Sequence, residues 1–384
     1  MIIKSLNLPS YGGIQSHVWE LSQKLIEKGH HVTILTSRSL GKGIQKRMES
    51  GRSIIELPKA PLYRLPVGAN LLDESHFNDV VKAWVRKHHE AFDVIHLHGR
   101  SGLWIPWRLP HLAPKCIWTV HGLTAQEWVY NGSQSSGTLH AKWSHWLEKL
   151  AAQRVGHVIA VSVDISHEVI RFLGCDPSRI SVVPNGIIQR GYVAKRSDTL
   201  IGYAGRLVTL KGIMLLPDLL QRLDPSCKLV LIGKGPAKDK LIRAFKRQDL
   251  EDRVIWIGQI PQQQVVEWLM KISVLVAPSY YEPQGRVVLE AMSVGCPVVA
   301  GNTGGLSEMI THGVNGLLCP PGDAESLYQA VKDLTTNSED ARRIGLAGWR
   351  SSRERYGWES IVNDTVNLYE STQNQFASLQ SQSV

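Results

Sequence analysis

The sequence has few features of a secreted, disulfide-stapled or membrane-spanning protein. Its 384 residues include five cysteines and no Cys-x-x-Cys pair, so neither a disulfide framework nor a structural zinc site is indicated. It has no uninterrupted run of about 18 apolar residues that could span a bilayer. The first nine residues contain a lysine and a proline and are too short for a signal peptide. We therefore expect a protein of the reducing cytoplasm.

Charge is divided unevenly between the two halves of the chain. Residues 1–190 contain 22 Lys+Arg and 14 Asp+Glu, whereas residues 191–384 contain 21 and 20. The basic half is expected to meet an anionic partner, although a solvated basic surface explains the excess equally well. It has no RNA-binding fingerprint, so we expect no nucleic acid partner.

Aromatic residues and cations mix in the middle of the basic half. This mixture suits an interfacial membrane patch, sugar stacking or an ordinary core, and the core interpretation is preferred for most of the tryptophans. The residues are Trp104, Trp107, Trp118, Trp128, Trp143 and Trp146 among Arg100, Arg108, Lys115, Lys142 and Lys149.

Helical and strand periods alternate along the chain, which predicts an α/β fold with parallel sheets in two domains. The polar stretch after Pro184-Asn-Gly186 has no convincing period, and we place the domain boundary there. The expected segments are a first domain at 1–188, a linker at 189–198, a second domain at 199–350, a terminal helix at 351–372 packing toward the first domain, and a disordered tail at 373–384.

Two carboxylates flank a predicted helix start in the second half. Glu282 ends a loop and Glu290 lies on the following helix, with a Pro-x-Gly turn between them. Backbone amides at the helix start suit sugar hydroxyls or phosphate oxygens. Carboxylates on either side can accept hydrogen bonds from a polyol. A surface location would be the default for an arbitrary pair of glutamates, but the Pro-x-Gly turn and the preceding strand favour a site.

Glycines and cations follow other predicted strands. Arg206 and Lys211 come after the first strand of the second domain and would suit a departing diphosphate, with solvated surface cations as an equal alternative. Gly12-Gly13, before the first helix, would let the backbone approach a phosphate. Gly233 fails as a nicotinamide fingerprint but would still allow close approach to a nucleotide, and Gly258 is assigned to a base pocket.

His121 follows an apolar strand of the first domain, where it could donate a hydrogen bond to a sugar hydroxyl. A structural role is the more common one for a single histidine in such a position. His96, His98 and His121 have no zincin-type spacing, so no metal and no cofactor is predicted.

Taken together, these motifs resemble the retaining glycosyltransferases of family 4. The resemblance covers most of the chain, and it departs from the family at Ile188, where an acidic residue is common. It rests on Gly12-Gly13, Lys28-Gly29-His30, Asp93-Val-Ile-His96, His121-Gly122, Val183-Pro-Asn-Gly186, Gly205-Arg206 with Lys211-Gly212, Gly233-Lys-Gly235-Pro236, Glu282-Pro-x-Gly285 to Glu290, and Gly304-Gly305 with Glu308.

The resemblance implies a GT-B fold, in which two Rossmann-like domains face each other across a cleft and the terminal helix crosses back to the first. It implies that Glu290 binds the ribose of a nucleotide sugar. Arg206 and Lys211 would hold the pyrophosphate, and Gly13 would contact phosphate. Glu282 and the amides of Gln284, Gly285, Arg286 and Val287 would orient the donor sugar, which His121 would also reach.

The resemblance further implies retention of configuration without a bound metal. The donor is expected to be a UDP-sugar, with GDP-mannose as the alternative. The acceptor would be a hydroxyl of a glycan, lipid-linked or small molecule, anionic or lipid-linked if the basic first domain holds it. Peripheral contact of that domain with the inner face of the membrane is one such arrangement.

Three other functions fit the sequence less well. A nucleotide-sugar epimerase on the same fold would need an acid and a base at the sugar ring, and only Glu282 and His121 offer themselves. A non-catalytic sugar-nucleotide or glycan-binding protein is disfavoured by the intact set of charged residues. The failed fingerprint at Gly233 argues against an NAD-dependent oxidoreductase.

Overall fold

A computed structural model describes residues 1–6, 12–38, 43–58, 69–124, 126 and 135–381. The chain forms two compact units, Met1–Gly186 with Trp358–Val384 and Ile187–Gly357. The second unit therefore includes the stretch 189–198, where a linker is predicted from the sequence.

The first unit is built on parallel strands joined through the amino terminus. Ile2 bridges Leu35 on one side and Leu97 on the other, and so links strands in the order β1-β3-β2 to strands in the order β4-β5-β6-β7. The strands are β1 Thr33–Ser37, β2 Gln45–Glu49, β3 Arg52–Leu57, β4 Ile95–His98, β5 Cys116–Val120, β6 His157–Ala160 and β7 Ile180–Val182.

Strand β2 is antiparallel to β3, and its sequence does not predict a strand. Four of its five residues are polar and most are exposed, so it lacks the alternation that marks a half-buried strand. Ser50 and Gly51 form the hairpin turn in left-handed backbone conformations, with φ of 49° and 79°.

The helices of the first unit include the last helix of the chain. They are α1 Gly13–Glu27, α2 Ala69–His88, α3 Trp104–Arg108, α4 Ser135–Arg154, α5 Val163–Leu173 and α13 Trp358–Ser381. Trp358 and Ile361 of α13 share a core with Val18 and Leu21 of α1. A Cβ on Gly186 would lie 2.4 Å from the Trp358 ring, so this packing requires glycine in the Pro-Asn-Gly turn.

The disordered tail expected at 373–384 is wrong for residues 373–381, because α13 continues to Ser381, while residues 382–384 lie outside the described part of the chain. Thr372 is buried, and Gln373 donates a hydrogen bond to Asp93 at 3.1 Å. The ammonium of Lys115 also lies 5.5 Å from the Phe376 ring centre. These contacts to the body of the first unit stabilise a segment whose own sequence has little helical pattern. The helix also begins at Trp358 rather than at 351, since the preceding helix, Ser338–Tyr356, ends only two residues earlier.

The second unit contains one parallel sheet in the order β10-β9-β8-β11-β12-β13. Its strands are β8 Leu200–Ala204, β9 Lys228–Ile232, β10 Val254–Gly258, β11 Val274–Ala277, β12 Val298–Gly301 and β13 Leu317–Cys319. Its helices are α6 Leu216–Arg222, α7 Lys238–Lys246, α8 Gln262–Leu269, α9 Arg286–Ser293, α10 Gly304–Met309, α11 Ala324–Thr336 and α12 Ser338–Tyr356.

Helices cover both faces of this sheet. In β9, Leu229 and Leu231 belong to one core, whereas Val230 and Ile232 belong to the other. Because successive side chains of a strand point to opposite faces, both faces are buried, which explains the apolar sequence from Leu229 to Ile232. The predicted α/β fold with two Rossmann-like parallel-sheet domains is confirmed. Within the described part of the chain, none of the helices combines the length and apolarity needed to cross a membrane.

Candidate active site

The second unit places its candidate site at a point where the strand order reverses. From β8 the chain continues to β9 on one side, while β11 pairs with β8 on the other. In open parallel sheets such a switch point, at the carboxyl ends of the strands, is where ligands bind. The loops that follow β8 and β11 carry Lys211 and Glu282 respectively.

These two loops are in close contact. Gly212 has a φ of +67°, and a Cβ there would lie 1.8 Å from the carbonyl oxygen of Pro278. Only glycine fits both the backbone conformation and the space. Its presence allows Lys211 Nζ to reach Glu282 Oε2 at 2.7 Å, with 14% and 16% of the two side chains exposed.

Further contacts fix the orientation of the Lys211–Glu282 pair. Lys211 Nζ also lies 3.4 Å from the carbonyl oxygen of Tyr281, and Ser279 Oγ lies 3.4 Å from Glu282 Oε2. The backbone of Glu282 accepts a hydrogen bond from Gly305 N at 3.0 Å. Glu282 is thus held through both its side chain and its backbone. Its partner Lys211 could also bind the anion of a ligand.

The loop that carries Arg206 is held by a hydrogen bond from Tyr203. Arg206 is exposed at the end of β8, and its carbonyl oxygen accepts a hydrogen bond from Tyr203 Oη at 2.8 Å. Burial raises the pKa of Tyr203, and the charge of Glu282 raises it further. The phenol therefore remains protonated and keeps its role as a donor to this loop.

Helix α9 begins beside Glu282. Its N-cap residue, Gly285, has a φ of +89°, and a Cβ there would lie 2.4 Å from Leu306 Cδ2. Glu290 lies one turn into the helix, where its Oε1 accepts a hydrogen bond from Arg286 Nε at 3.1 Å. The side chains of Arg286 and Glu290 are 9% and 4% exposed. The first amides of a helix have no partner within the helix, so this end can receive oxygen atoms of a ligand while Glu290 lies deeper.

Three glycine loops meet at the same edge of the sheet. Gly233 N donates to the carbonyl oxygen of Gly258 at 2.7 Å, and a Cβ on Gly233 would lie 1.9 Å from the carbonyl oxygen of Gly205.

Gln284 is buried next to Gly285, while Val287 is half-buried on the first turn of α9. The predicted site residues of the second unit therefore all lie at or after the carboxyl ends of strands, on one edge of its sheet.

The first unit holds the other two predicted site residues. Gly13 is the exposed first residue of α1. His121 follows β5 and is half-buried, with its Nε2 at 3.3 Å from Nδ1 of His98. Burial lowers the pKa of His98 well below its usual range, and the neighbouring histidines lower it further.

The histidines group differently from the sequence prediction. His96 is bound at Nδ1 by Tyr369 Oη and at Nε2 by Thr119 Oγ1, both at 2.6 Å. His96 lies beside His98, with the ring centres 4.0 Å apart, but the three histidines with ring nitrogens within 4.8 Å of one another are His17, His98 and His121. Sequence reasoning missed His17, which lies on the buried face of α1 four residues after Gly13.

An open pocket of about 210 Å³ lies on the first unit. Lys4 is paired with Asp73 at 2.9 Å, and Arg100 with Glu74 at 2.8 Å. The remaining lining mixes amides with apolar surface, and the lining residues include Ile14, Gln15, Phe77, Asn78 and His98. Paired charges of both signs and amides of this kind suit a ligand rich in hydroxyl groups.

The tryptophans of the first unit only partly form core. Trp118 is buried in β5, whereas Trp104, Trp107, Trp143 and Trp146 form a half-exposed tryptophan cluster in which Trp143 and Trp146 stack at 5.1 Å. Trp146 is 40% exposed, and the Arg108 guanidinium lies 3.7 Å from the centre of the Trp107 ring. Trp128 lies outside the described residues.

Comparison with known proteins finds glycosyltransferases along most of the chain. The family model for Glycosyltransferase Family 4 matches residues 11–188, and that for Glycosyl transferases group 1 matches residues 187–349. The alpha-maltose-1-phosphate synthase of Mycolicibacterium smegmatis is 30% identical over 312 residues, covering 73% of this chain and 79% of that protein. An uncharacterized glycosyltransferase of Methanocaldococcus jannaschii is 26% identical over 380 residues, covering 93% and 94%.

Solved structures show the same fold. A sucrose-phosphate synthase from Thermosynechococcus elongatus superposes with a TM-score of 0.83 at 24% identity, covering 98% of both chains. The Anabaena protein HepE, solved in complex with UDP and glucose, superposes with a TM-score of 0.72 at 20% identity, covering 96% of this chain and 98% of that one.

Proposed function

The chain belongs to the family 4 glycosyltransferases of the GT-B fold, and on that premise we propose that it transfers a hexose from a nucleotide diphosphate sugar with retention of anomeric configuration. The observation that carries this proposal is the Lys211–Glu282 pair at the switch point, beside a helix start that precedes the buried Glu290. The site combines a cation for a diphosphate with two carboxylates for hydroxyl groups.

The proposed donor is a UDP-sugar, with GDP-mannose as the alternative. Glu290 accepts hydrogen bonds from the ribose hydroxyls, and Gly233 and Gly258 allow the nucleotide to approach the backbone. Arg206 and Lys211 bind the pyrophosphate, while Gly13 contacts phosphate. Glu282, His121 and the backbone from Gln284 to Val287 orient the transferred sugar. The HepE complex with UDP and glucose supports the choice of a uridine donor.

The reaction proposed here needs no protein nucleophile. The acceptor oxygen attacks the anomeric carbon on the face from which the diphosphate leaves, and a leaving phosphate oxygen takes the acceptor proton. The carbon–oxygen bond to the diphosphate breaks as the new glycosidic bond forms. Arg206 and Lys211 stabilise the charge that develops on the diphosphate, which is where fixed cations lower the barrier. Neither a metal ion nor a cofactor is required.

The proposed acceptor is a hydroxyl of a glycan, lipid-linked or small molecule. The pocket of the first unit suits it, because Glu74 can accept hydrogen bonds from hydroxyl groups while Lys4 and Arg100 can bind an anionic substituent. The tryptophan cluster supports a peripheral membrane contact, since indole rings beside cations favour the headgroup region of a bilayer.

Thermal stabilisation by nucleotide sugars tests this function. A ligand that binds only the folded state raises the apparent stability, so a panel of UDP-, GDP- and ADP-sugars identifies the donor by the shift in Tm. We expect a shift with UDP-sugars that the corresponding free sugars do not give. Absence of any shift across the panel would sink the proposal.

A further inference from the structure

Three histidines from separate parts of the first unit converge near the ends of β4 and β5. His17 comes from α1, His98 ends β4 and His121 follows β5. One ring nitrogen from each lies within 4.8 Å of the others. His17 and His98 are 5% and 1% exposed, whereas His121 is half-buried and gives the group access to solvent.

The spacing of the three rings is close to that of a tetrahedral metal centre. Zinc–nitrogen bonds of about 2.0–2.1 Å place two ligand nitrogens about 3.3–3.4 Å apart and their ring centres roughly 5.2 Å apart. Nδ1 of His98 lies 3.3 Å from Nε2 of His121. The ring centres of His17 and His121 are 5.1 Å apart, and those of His98 lie 5.6 Å from each.

His98 offers this group its Nδ1, the nitrogen that lies 3.3 Å from Nε2 of His121. His96, its neighbour in β4, has both ring nitrogens in hydrogen bonds, with Tyr369 and Thr119. His98 rather than His96 is therefore the ligand that β4 supplies.

The ligand atoms select a class of metal. Three imidazole nitrogens suit zinc and its borderline neighbours, such as cobalt, nickel and copper, rather than magnesium or calcium, which prefer oxygen. Three protein ligands also leave a fourth position for water, the arrangement of an open rather than a purely structural zinc site.

The geometry points to a binding site for one zinc-class transition-metal ion, held by His17, His98 and His121. Resting on the proposed function, occupancy of this site inhibits transfer, because a metal-bound His121 no longer binds the donor sugar. The ion would thus act as an inhibitor of a reaction that does not itself need it.

Titration of the full chain with Co²⁺ tests the site without any sugar. We expect one Co²⁺ per chain with the visible absorption of a four-coordinate centre, displaced by one equivalent of Zn²⁺. The variants His17→Leu and His98→Leu should each lower the affinity more than about 100-fold, since loss of an outer-shell partner alone costs about 10- to 100-fold. A thermal midpoint measured in EDTA verifies that each variant folds.

His111→Leu is the matched control, since His111 is an exposed histidine of the same unit and its ring lies 6.1 Å from that of His89. It should bind Co²⁺ as the wild type does. Three results would contradict the metal site: an octahedral-type absorption spectrum of bound Co²⁺, the absence of stoichiometric Co²⁺ binding, or an unchanged Co²⁺ affinity in both His17→Leu and His98→Leu. If one equivalent of Zn²⁺ binds but leaves the transfer rate unchanged, the inhibition is wrong while the site stands. If the chain shows no transfer at all, only the proposed function fails.

Discussion

Glu290 and Glu282 are paired with different cations, and this difference predicts different effects of mutation. Glu290 is almost fully buried against Arg286. Glu290→Gln keeps an oxygen that can accept from Arg286 Nε but removes the charge proposed to bind the ribose. Loss of a hydrogen bond to a charged group costs about 1.5–3 kcal/mol. We therefore expect calorimetric titration with UDP to show a Kd about 10- to 100-fold higher.

Glu282→Gln serves as the comparison for this variant. Because Glu282 is assigned to the transferred sugar rather than the nucleotide, its loss should chiefly lower kcat while the Kd for UDP stays within about threefold of wild type. The assignment of separate roles would be wrong if both variants lowered turnover alone and left UDP binding intact.

Glu148 predicts a pH dependence of stability in the first unit. Its carboxyl accepts hydrogen bonds from Thr124 Oγ1 at 2.6 Å and Thr124 N at 3.2 Å, but burial raises its pKa from 4.5 to about 7. Between these values the folded protein keeps a proton that the unfolded chain has lost. The free energy of unfolding should therefore fall as pH rises from 4.5 to 7, by about 3 kcal/mol in total at about 1.4 kcal/mol per pKa unit.

Urea denaturation across this pH range measures the contribution of Glu148. Glu148→Gln should remove its part of the slope, while Glu370→Gln, which changes an exposed carboxylate of α13, should leave the slope in place. An unchanged slope in Glu148→Gln would show that this carboxyl does not carry the pH dependence.

The start of helix α9 depends on a glycine for two separate reasons. Gly285 has a φ of +89° and abuts Leu306, whereas Gly313, in the same unit, has a φ of +76° and nothing within 4 Å. Alanine at Gly313 should cost about 1–2 kcal/mol of backbone strain. Alanine at Gly285 adds overpacking of about 1–3 kcal/mol and should also displace the amides proposed to bind the sugar.

The two glycine variants can be compared by their urea midpoints and by UDP-sugar binding. We expect Gly285→Ala to be the less stable of the two and to lose most donor binding, while Gly313→Ala binds donor normally. Equal midpoints would mean that the contact with Leu306 relaxes without cost and that the cap is not tightly constrained.

Elements with an apolar pattern were predictable, while elements held by distant contacts were not. The sequence predicts strands at Cys116–Val120, Leu200–Ala204 and Lys228–Ile232, and β5, β8 and β9 have these bounds, because strands buried on both faces are mainly apolar. Strand β2 is exposed and polar, so its sequence contains no strand signal. The last turns of α13 are held by Asp93 and Lys115, contacts that no local pattern reveals.

The same distinction applies to the candidate site. The sequence indicates that Glu282, Glu290 and Lys211 lie near strand ends, since glycines and turns mark those ends. It does not indicate that Lys211 contacts Glu282, because the strand order that makes β8 and β11 neighbours is a property of the whole sheet. His17 was missed for the same reason, since only the tertiary fold brings α1 beside β4 and β5.

At the scale of the whole molecule, the net charge of +9 is concentrated in the first half of the sequence. Lys142 and Lys149 are exposed on α4, the helix that also carries Trp143 and Trp146. Cations and indole rings on one helix suit an anionic bilayer surface, where each lysine contributes about 1 kcal/mol and the attraction weakens with salt.

Sedimentation with anionic vesicles at low salt tests this contact. Losing two lysines near the surface should cost about 2 kcal/mol, so Lys142→Gln/Lys149→Gln should lower the partition coefficient about 30-fold. Lys238→Gln/Lys240→Gln removes the same charge from exposed positions on α7 of the second unit and should have little effect. Equal losses in both double variants would assign binding to net charge rather than to the α4 surface. Wild-type protein that remains in the supernatant would exclude the contact, because low salt is the condition under which electrostatic attraction is strongest.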